Sequence, residues 1–279
     1  MNSLLKVLFF LLCISTVTAA PYSKYEDLVK DFINQKVDQT EAYDISGFMM
    51  SENGFELSIE AGTLHFCTPV NGKSIVAVFS GRGEFSYTPK PELEKGRMQR
   101  FYGTKALSKK VTLAAFVFNN EFATEIKRDF TKVTQEVTGD EKELLELIID
   151  NNSYTDKYII SKKQILNRNI AKAFLNDQKN MFTEVFVTED NENVYMYAND
   201  PFDNTPISFN QIENDGGTQK SIDVVCMTYT DDQYNTNNTD SLDFTNLDVE
   251  TYQIDAKLNE ENILDGYAKI KCKLKNNLS

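Results

Sequence analysis

Tryptophan is absent from the 279 residues, and histidine occurs once, as His65. These two gaps narrow the chemistry at the outset. No HExxH occurs, so the helical zinc pair of metallopeptidases is missing. No GxSxG occurs either, and any Ser-His-Asp or Cys-His site would have to use His65 as its only imidazole base. In "TLHFC", His65 and Cys67 are two residues apart and so share one strand face. That spacing suits packing better than a productive dyad. Beside Phe66, His65 reads as a packed or edge side chain rather than a metal ligand.

Basic residues are also short: 29 Lys and Arg stand against 42 Asp and Glu, a net charge of −13. A surface of that sign repels phosphate backbones and excludes nucleic acid as a natural partner. Cysteine is sparse and shows no CxxC spacing. Beyond Cys13 there are only Cys67, Cys226 and Cys272, far apart and odd in number. They exclude a disulfide framework or a zinc knuckle, and leave open one bridge with a free thiol or three buried thiols. Carboxylates, by contrast, are too plentiful for a glycosidase-type pair to stand out. "TDDQYNTNNTDSLD" offers Asp231, Asp232, Asn235, Asn237, Asp240 and Asp243 as oxygen donors. It lacks the glycine and closing glutamate of a calcium-binding EF-hand loop, so residues 231–245 read as a polar linker or loop, with weak calcium binding by 231–243 left open as the alternative.

Long apolar runs are missing after the N-terminus. "MNSLLKVLFFLLCISTVTAA" has Lys6, an apolar stretch from Val7 to Ile14, and then small residues. This is the layout of a secretory signal peptide at 1–19, cleaved after Ala19. Its apolar core is about half the ~20 residues that a membrane span needs. Leu12 before Cys13 is not the small residue of a lipoprotein signal. The expectation is an exported protein, periplasmic or extracellular, with no transmembrane helix after cleavage.

The chain has no lack of Phe and Tyr, 19 and 13 of them, which argues for a folded core. Tyr25, Leu28, Val29, Phe32 and Ile33 fall at helical spacing, so 22–37 is expected to be an amphipathic helix. From Ile45 short apolar runs predict consecutive antiparallel strands. Turns are expected at Ser51-Glu52-Asn53-Gly54, Glu60-Ala61-Gly62, Val70-Asn71-Gly72 and Gly81-Arg82-Gly83. The last of these is glycine-rich enough to ask whether it cradles a phosphate. Phe85 and Tyr87 continue it as a strand rather than a helix, so a hairpin turn is the better reading. "ELEKGRMQRFYG" suits a short helix stopped by Gly103, and 111–118 a buried strand. Further helices are expected at 120–135, 139–150 and 161–177, with Asp140 and Ser161 as N-caps. The second half returns to strands: a hairpin about Glu189–Glu192, then "TPISFNQI", "KSIDVVCMTYT" and a last hairpin turning at Asn259–Asn262. The fold class is therefore α+β, mostly antiparallel sheet with several flanking helices, followed by the start of a β-sandwich-like domain. Its expected division is an α+β domain at 20–230, the linker, and an incomplete β domain at 246–279.

The order of these pieces is familiar. Phe79, Gly81, Gly83, Phe85, Pro89, Glu94 and Phe101 follow an apolar strand, and "LAAFVFNN" comes after them. This block resembles the noncatalytic N-terminal region of exported bacterial gluzincin zinc aminopeptidases, the membrane alanyl aminopeptidase family. "YMYANDPFDNTPISF" is similar to a later strand pair of that region, and "LDVETYQIDAKLNEENILDGYAKIKCKL" to the first hairpin of the saddle-like β domain before the peptidase domain. The resemblance implies that GxMEN, HExxH and the zinc-ligating glutamate would lie beyond Ser279. Zinc would then belong only to a missing catalytic domain, and the partner would be a peptidase domain or downstream polypeptide. No catalytic, cofactor-binding or metal-ligating residue carries over to this chain. Two other readings stay open: a complete exported binding or scaffold protein, and an enzyme with an unrecognised acid-based site.

Overall fold

The structure is a computed structural model. It describes residues 20–118, 121–155, 164–166, 183–189, 192–200, 205–236, 247–258 and 264–274. The described chain begins with α1 (Ala20–Ile33), followed by β1 (Val37–Glu52), β2 (Phe55–Cys67) and β3 (Val76–Tyr87). Next come α2 (Glu92–Tyr102), β4 (Leu107–Phe118), α3 (Glu121–Asp129), β5 (Thr131–Val133) and α4 (Gly139–Asn152). Two short strands, β6 (Ser153–Thr155) and β7 (Gln164–Leu166), precede β8 (Thr183–Thr188), β9 (Asn193–Asn199), β10 (Ile207–Asp215) and β11 (Thr218–Thr228). A single helical turn and a half, α5 (Asp231–Thr236), leads to β12 (Leu247–Leu258) and β13 (Leu264–Leu274).

Nine strands form one sheet in the order β11-β10-β9-β8-β4-β3-β2-β1-β5, every neighbouring pair antiparallel. The fold class is α+β. Chain contacts divide it into two compact units, residues 1–239 and 240–279. The second unit holds the hairpin β12–β13, a two-stranded sheet in which Leu247 pairs with Leu274 and Leu258 with Leu264.

Alternation along the strands gives the large sheet two buried faces, and each face has its own core. On one, Leu28, Val29 and Phe32 of α1 and Leu144, Leu147 and Ile148 of α4 lie against Val76, Val78, Val117 and Phe186. On the other, Met98 of α2 and Ala123 and Ile126 of α3 join an aromatic cluster of Phe55, Phe79, Phe85, Tyr87, Tyr197 and Phe209. That aromatic face is concave. Phe55 on β2 stacks on Tyr197 of β9 with centroids 4.7 Å apart, and Tyr87 on β3 stacks on Phe209 of β10 at 4.2 Å. Each pair is separated by four strand spacings, about 19 Å across a flat sheet. Such contact therefore requires the sheet to curl until distant strands meet across this one face.

The curl explains two misplaced turns. Glu60-Ala61-Gly62 lies inside β2, and Gly81-Arg82-Gly83 lies inside β3, so neither is a hairpin turn. Gly62 and Gly81 are opposite one another, and the ladder slips beside them, between Ile59 and Ala61 on β2 and between Ser80 and Gly83 on β3. A Cβ on Gly81 would sit 2.5 Å from Gly62 Cα and 2.6 Å from the Phe79 ring. The glycines allow bulged strands to approach closely beneath that ring. The true turns are Asn53-Gly54 and Asn71-Gly72, in which both central residues have positive φ, the geometry that matches strand twist.

Other boundaries also move. The helix expected at 120–135 stops at Asp129, because Thr131–Val133 pairs with Ala42–Asp44 as an edge strand. The helix expected at 161–177 is interrupted by β7, which pairs with β6; the rest of that expectation, with Ser161, lies outside the described residues. The N-cap of α4 is Thr138, not Asp140. The Thr138 hydroxyl accepts from the Glu141 N–H while the Glu141 side chain accepts from the Thr138 N–H, a reciprocal capping box. Within the expected linker 231–245, Asp231–Thr236 is helical, and 237–246 lies outside the described residues. The helix Glu92–Tyr102 ends as expected at Gly103, which takes a left-handed conformation.

Candidate functional site

The α4 capping box is also the start of a buried polar chain. Both oxygens of Glu141 are fully used. Oε1 accepts from His65 Nδ1 and Ser80 Oγ, each at 2.9 Å. Oε2 accepts from the Thr138 N–H at 2.7 Å and the Thr138 hydroxyl at 3.0 Å. His65 Nε2 faces the Gln135 carbonyl at 3.2 Å. Neither His65 nor Glu141 reaches solvent.

This geometry assigns protonation states. A carboxylate with four donors has no oxygen position left for a proton of its own. An imidazole whose two nitrogens both face acceptors needs a hydrogen on each, which makes it an imidazolium. The electrostatics agree in direction. Burial alone would lower His65, but its hydrogen bond and attraction to Glu141, with the Gln135 carbonyl and Asp38, raise it above the ordinary histidine range. Burial alone would raise Glu141, and donation from His65, the Thr138 backbone and Ser80 brings it below the ordinary carboxylate range.

Ser, His and Glu thus meet, but in an order that does not suit nucleophilic catalysis. In a hydrolytic triad the imidazole stands between hydroxyl and carboxylate and takes the hydroxyl proton. Here Glu141 stands in the middle, and His65 turns its far nitrogen to a backbone carbonyl. The arrangement fastens α4 to β2 and β3. Cys67, on the same strand face as His65, is buried and its thiol is pushed far up by that burial, with Glu141 and Asp38 adding to it. Cys226 is likewise a buried free thiol, pushed up to about 12 mainly by desolvation. Neither carries the thiolate that reactivity needs. Among the described residues no group of three or more His, Cys, Asp or Glu is placed to hold a metal ion.

Beyond Ser80 and Thr138 the structure opens into a cavity of about 900 Å³. Six acidic residues line it: Asp140 and Glu143 from α4, Glu189 and Glu192 from the β8–β9 connection, and Glu213 and Asp215 from the end of β10. No lysine or arginine is among its described lining residues. Asn214 joins the walls. Its backbone N–H donates to the Glu192 carbonyl at 2.9 Å and its side-chain amide to Glu143 Oε1 at 3.3 Å. Its Oδ1 accepts from the Gly217 N–H at 3.1 Å. Gly216 and Gly217 turn β10 into β11 with φ of 60° and 82°. A Cβ on Gly217 would fall 2.8 Å from the Glu146 side chain, so only glycine lets this turn lie on α4. On the opposite side the Thr112 hydroxyl donates to the Glu189 carbonyl at 2.7 Å.

No local pattern signals this grouping, because its six acids come from three segments up to 75 positions apart that only the sheet order assembles. The buried network did have a local signal, which the expectation of an Asp140 cap passed over: Thr138-x-x-Glu141 is a capping-box spacing. Its connection to His65 was not. No family model, curated protein or solved structure matches the chain.

Proposed function

We propose that this chain is an exported, noncatalytic module that holds another molecule, and that its acid-lined cavity receives a cationic group such as a lysine or arginine side chain or a polyamine. The observation that carries this reading is the grouping of six acidic residues around one cavity with no basic residue in its described lining. Like charges gathered around a concavity focus a negative potential and attract cations. The buried state of His65 and the un-ionised state of Cys67 support a noncatalytic role. The test is isothermal titration of the protein with spermidine and with a short oligolysine. Binding should weaken steeply with added salt, and Glu143→Gln with Glu213→Gln should weaken it about tenfold. Equal binding by the double variant would overturn the cavity reading.

The sequence resemblance gives the module a setting: the N-terminal region of an exported zinc-aminopeptidase-like protein, with the peptidase motifs elsewhere. The hairpin β12–β13 favours it. An isolated two-stranded hairpin is marginal in water and gains stability from further strands or a packed face. Ile254 and Ile270, diagonal neighbours across the pair, are 70% and 51% exposed, as expected of a face that packs against additional polypeptide. An antibody to residues 20–239, used on exported fractions, tests this setting. A band much heavier than 31.8 kDa, or co-purification with a chelator-sensitive aminopeptidase, supports it. A band no heavier than this chain, with no peptidase attached, leaves the complete binding or scaffold protein as the better reading.

A further inference from the structure

We propose that α4 is latched to the sheet at both ends by buried, proton-dependent contacts, so that mildly acidic conditions hold the helix down and alkaline conditions loosen it. The inference rests on the contacts of α4 itself and is independent of what occupies the cavity.

The two ends present the same residue type in opposite circumstances. At the N-terminal end, Glu141 accepts four hydrogen bonds and faces His65. At the C-terminal end, Asn152, the last helical residue, donates through Nδ2 to Glu184 Oε2 of β8 at 2.8 Å. Both side chains are buried, and that amide is the one hydrogen-bond partner of the Glu184 carboxyl among the described residues. Asn152 Oδ1 has no hydrogen-bond partner among the described residues. An ionised carboxylate there would be buried with one donor, beside the helix end where the backbone dipoles are negative. The protonated form is the one that this site suits. Consistently, desolvation holds Glu184 at about 7, offset in part by the Asn152 amide and reinforced by Asp200.

Among the described residues the groups facing these contacts are few. His65 on β2 faces Glu141 from α4, the Gln135 carbonyl and Asp38 from β1. Glu141 faces His65, Ser80 on β3 and Thr138. Glu184 faces Asn152 from α4 and Asp200 after β9. Raising the pH acts in the same sense at both ends. Loss of one imidazole proton leaves a nitrogen lone pair pointed at a carboxylate or a carbonyl. Loss of the Glu184 proton leaves a poorly solvated anion at the helix C-terminus. Helix α1 packs on the same sheet face through Leu28, Val29 and Phe32 and provides an internal control.

The experiment is hydrogen exchange with mass spectrometry, compared at about pH 5.5 and about pH 8.5 after correction for intrinsic exchange, a range chosen to span histidine titration. Protection of 139–152 should fall at the higher pH by about tenfold more than protection of α1, the equivalent of one pK unit. In Glu184→Gln, which stays neutral, the C-terminal turn of α4 should lose this pH dependence while the N-terminal turn keeps it. An equal fall in α1 and α4, or an unchanged C-terminal response in the variant, overturns the latch. A second readout needs no variant. The single histidine gives one unambiguous imidazole Hε1 resonance, and its titration midpoint should lie above 6.5. A midpoint at or below that value removes the N-terminal half of the proposal.

Discussion

Phe55 and Tyr197 stack at 4.7 Å and 11° although β2 and β9 are four strands apart in the sheet. Contacts of this kind define the concave core. Phe55→Ala should therefore cost about 3–5 kcal/mol, as a large cavity inside close packing does. Tyr197→Phe removes only a hydroxyl that accepts from Asn53 at 3.1 Å, and should cost about 1 kcal/mol. Urea unfolding measures both. Similar small losses for the two variants would mean that the curl does not depend on this stack.

Glycine substitutions should separate sharply by site. Gly81→Ala places a methyl group against Gly62 and the Phe79 ring and should destabilise by more than about 2 kcal/mol, since backbone must shift. Gly96→Ala lies within α2 with nothing within 4 Å, and should stabilise by roughly 0.5–1 kcal/mol through helix propensity. Thermal melts of the pair decide the matter. A neutral Gly81→Ala would contradict the close strand approach.

Stability should peak in mild acid. The native value of His65 is raised, so its contribution is complete below about 6.5 and fades as pH rises through the native value. Glu141 is lowered, so its contribution is complete above 4.5 and fades as pH falls through the native value. Glu184, raised to about 7, tilts the range between these limits downward with rising pH. Urea midpoints across pH should thus be highest near the acid end of 4.5–6.5. His65→Leu leaves Glu141 buried without its cation and should cost about 3–5 kcal/mol while flattening the alkaline limb. A monotonic rise in stability toward pH 8 would refute the ion pair.

Residues 1–239 form a compact unit by themselves. Deleting 240–279 should leave the melting temperature of the remainder within a few degrees, a change equivalent to about 1 kcal/mol or less. A marginal two-stranded hairpin should also be the first segment cut by protease. A deletion that unfolds the remainder would show that the hairpin supports it.

Much of the fold was open to reading from the order of residues alone. Helical spacing of Leu28, Val29 and Phe32, the alternation in β8 and β9, and Gly103 as a helix stop are local signals, and local backbone preference decided them. Asn53-Gly54 and Asn71-Gly72 were legible as turns because positive φ favours those residue types wherever they occur. The same glycine signal misled at Gly62 and Gly81-Arg82-Gly83. There the requirement is not a reversal of the chain but the absence of a Cβ between bulged strands, and that depends on which strands are neighbours. Thr131–Val133 was likewise drawn from helix to strand by an available edge on β1.

Composition and pattern therefore determined the class of fold, most of its elements, the acidic surface and the shortage of residues for metal or nucleophilic chemistry. Tertiary structure alone decided the curl of the sheet, the charged state of His65, the unlike environments of Glu141 and Glu184, and the gathering of six acids around one cavity. The reason is physical. Periodicity and turn preference act over a few residues, whereas burial, hydrogen-bond saturation and electric potential depend on side chains brought together from distant parts of the chain.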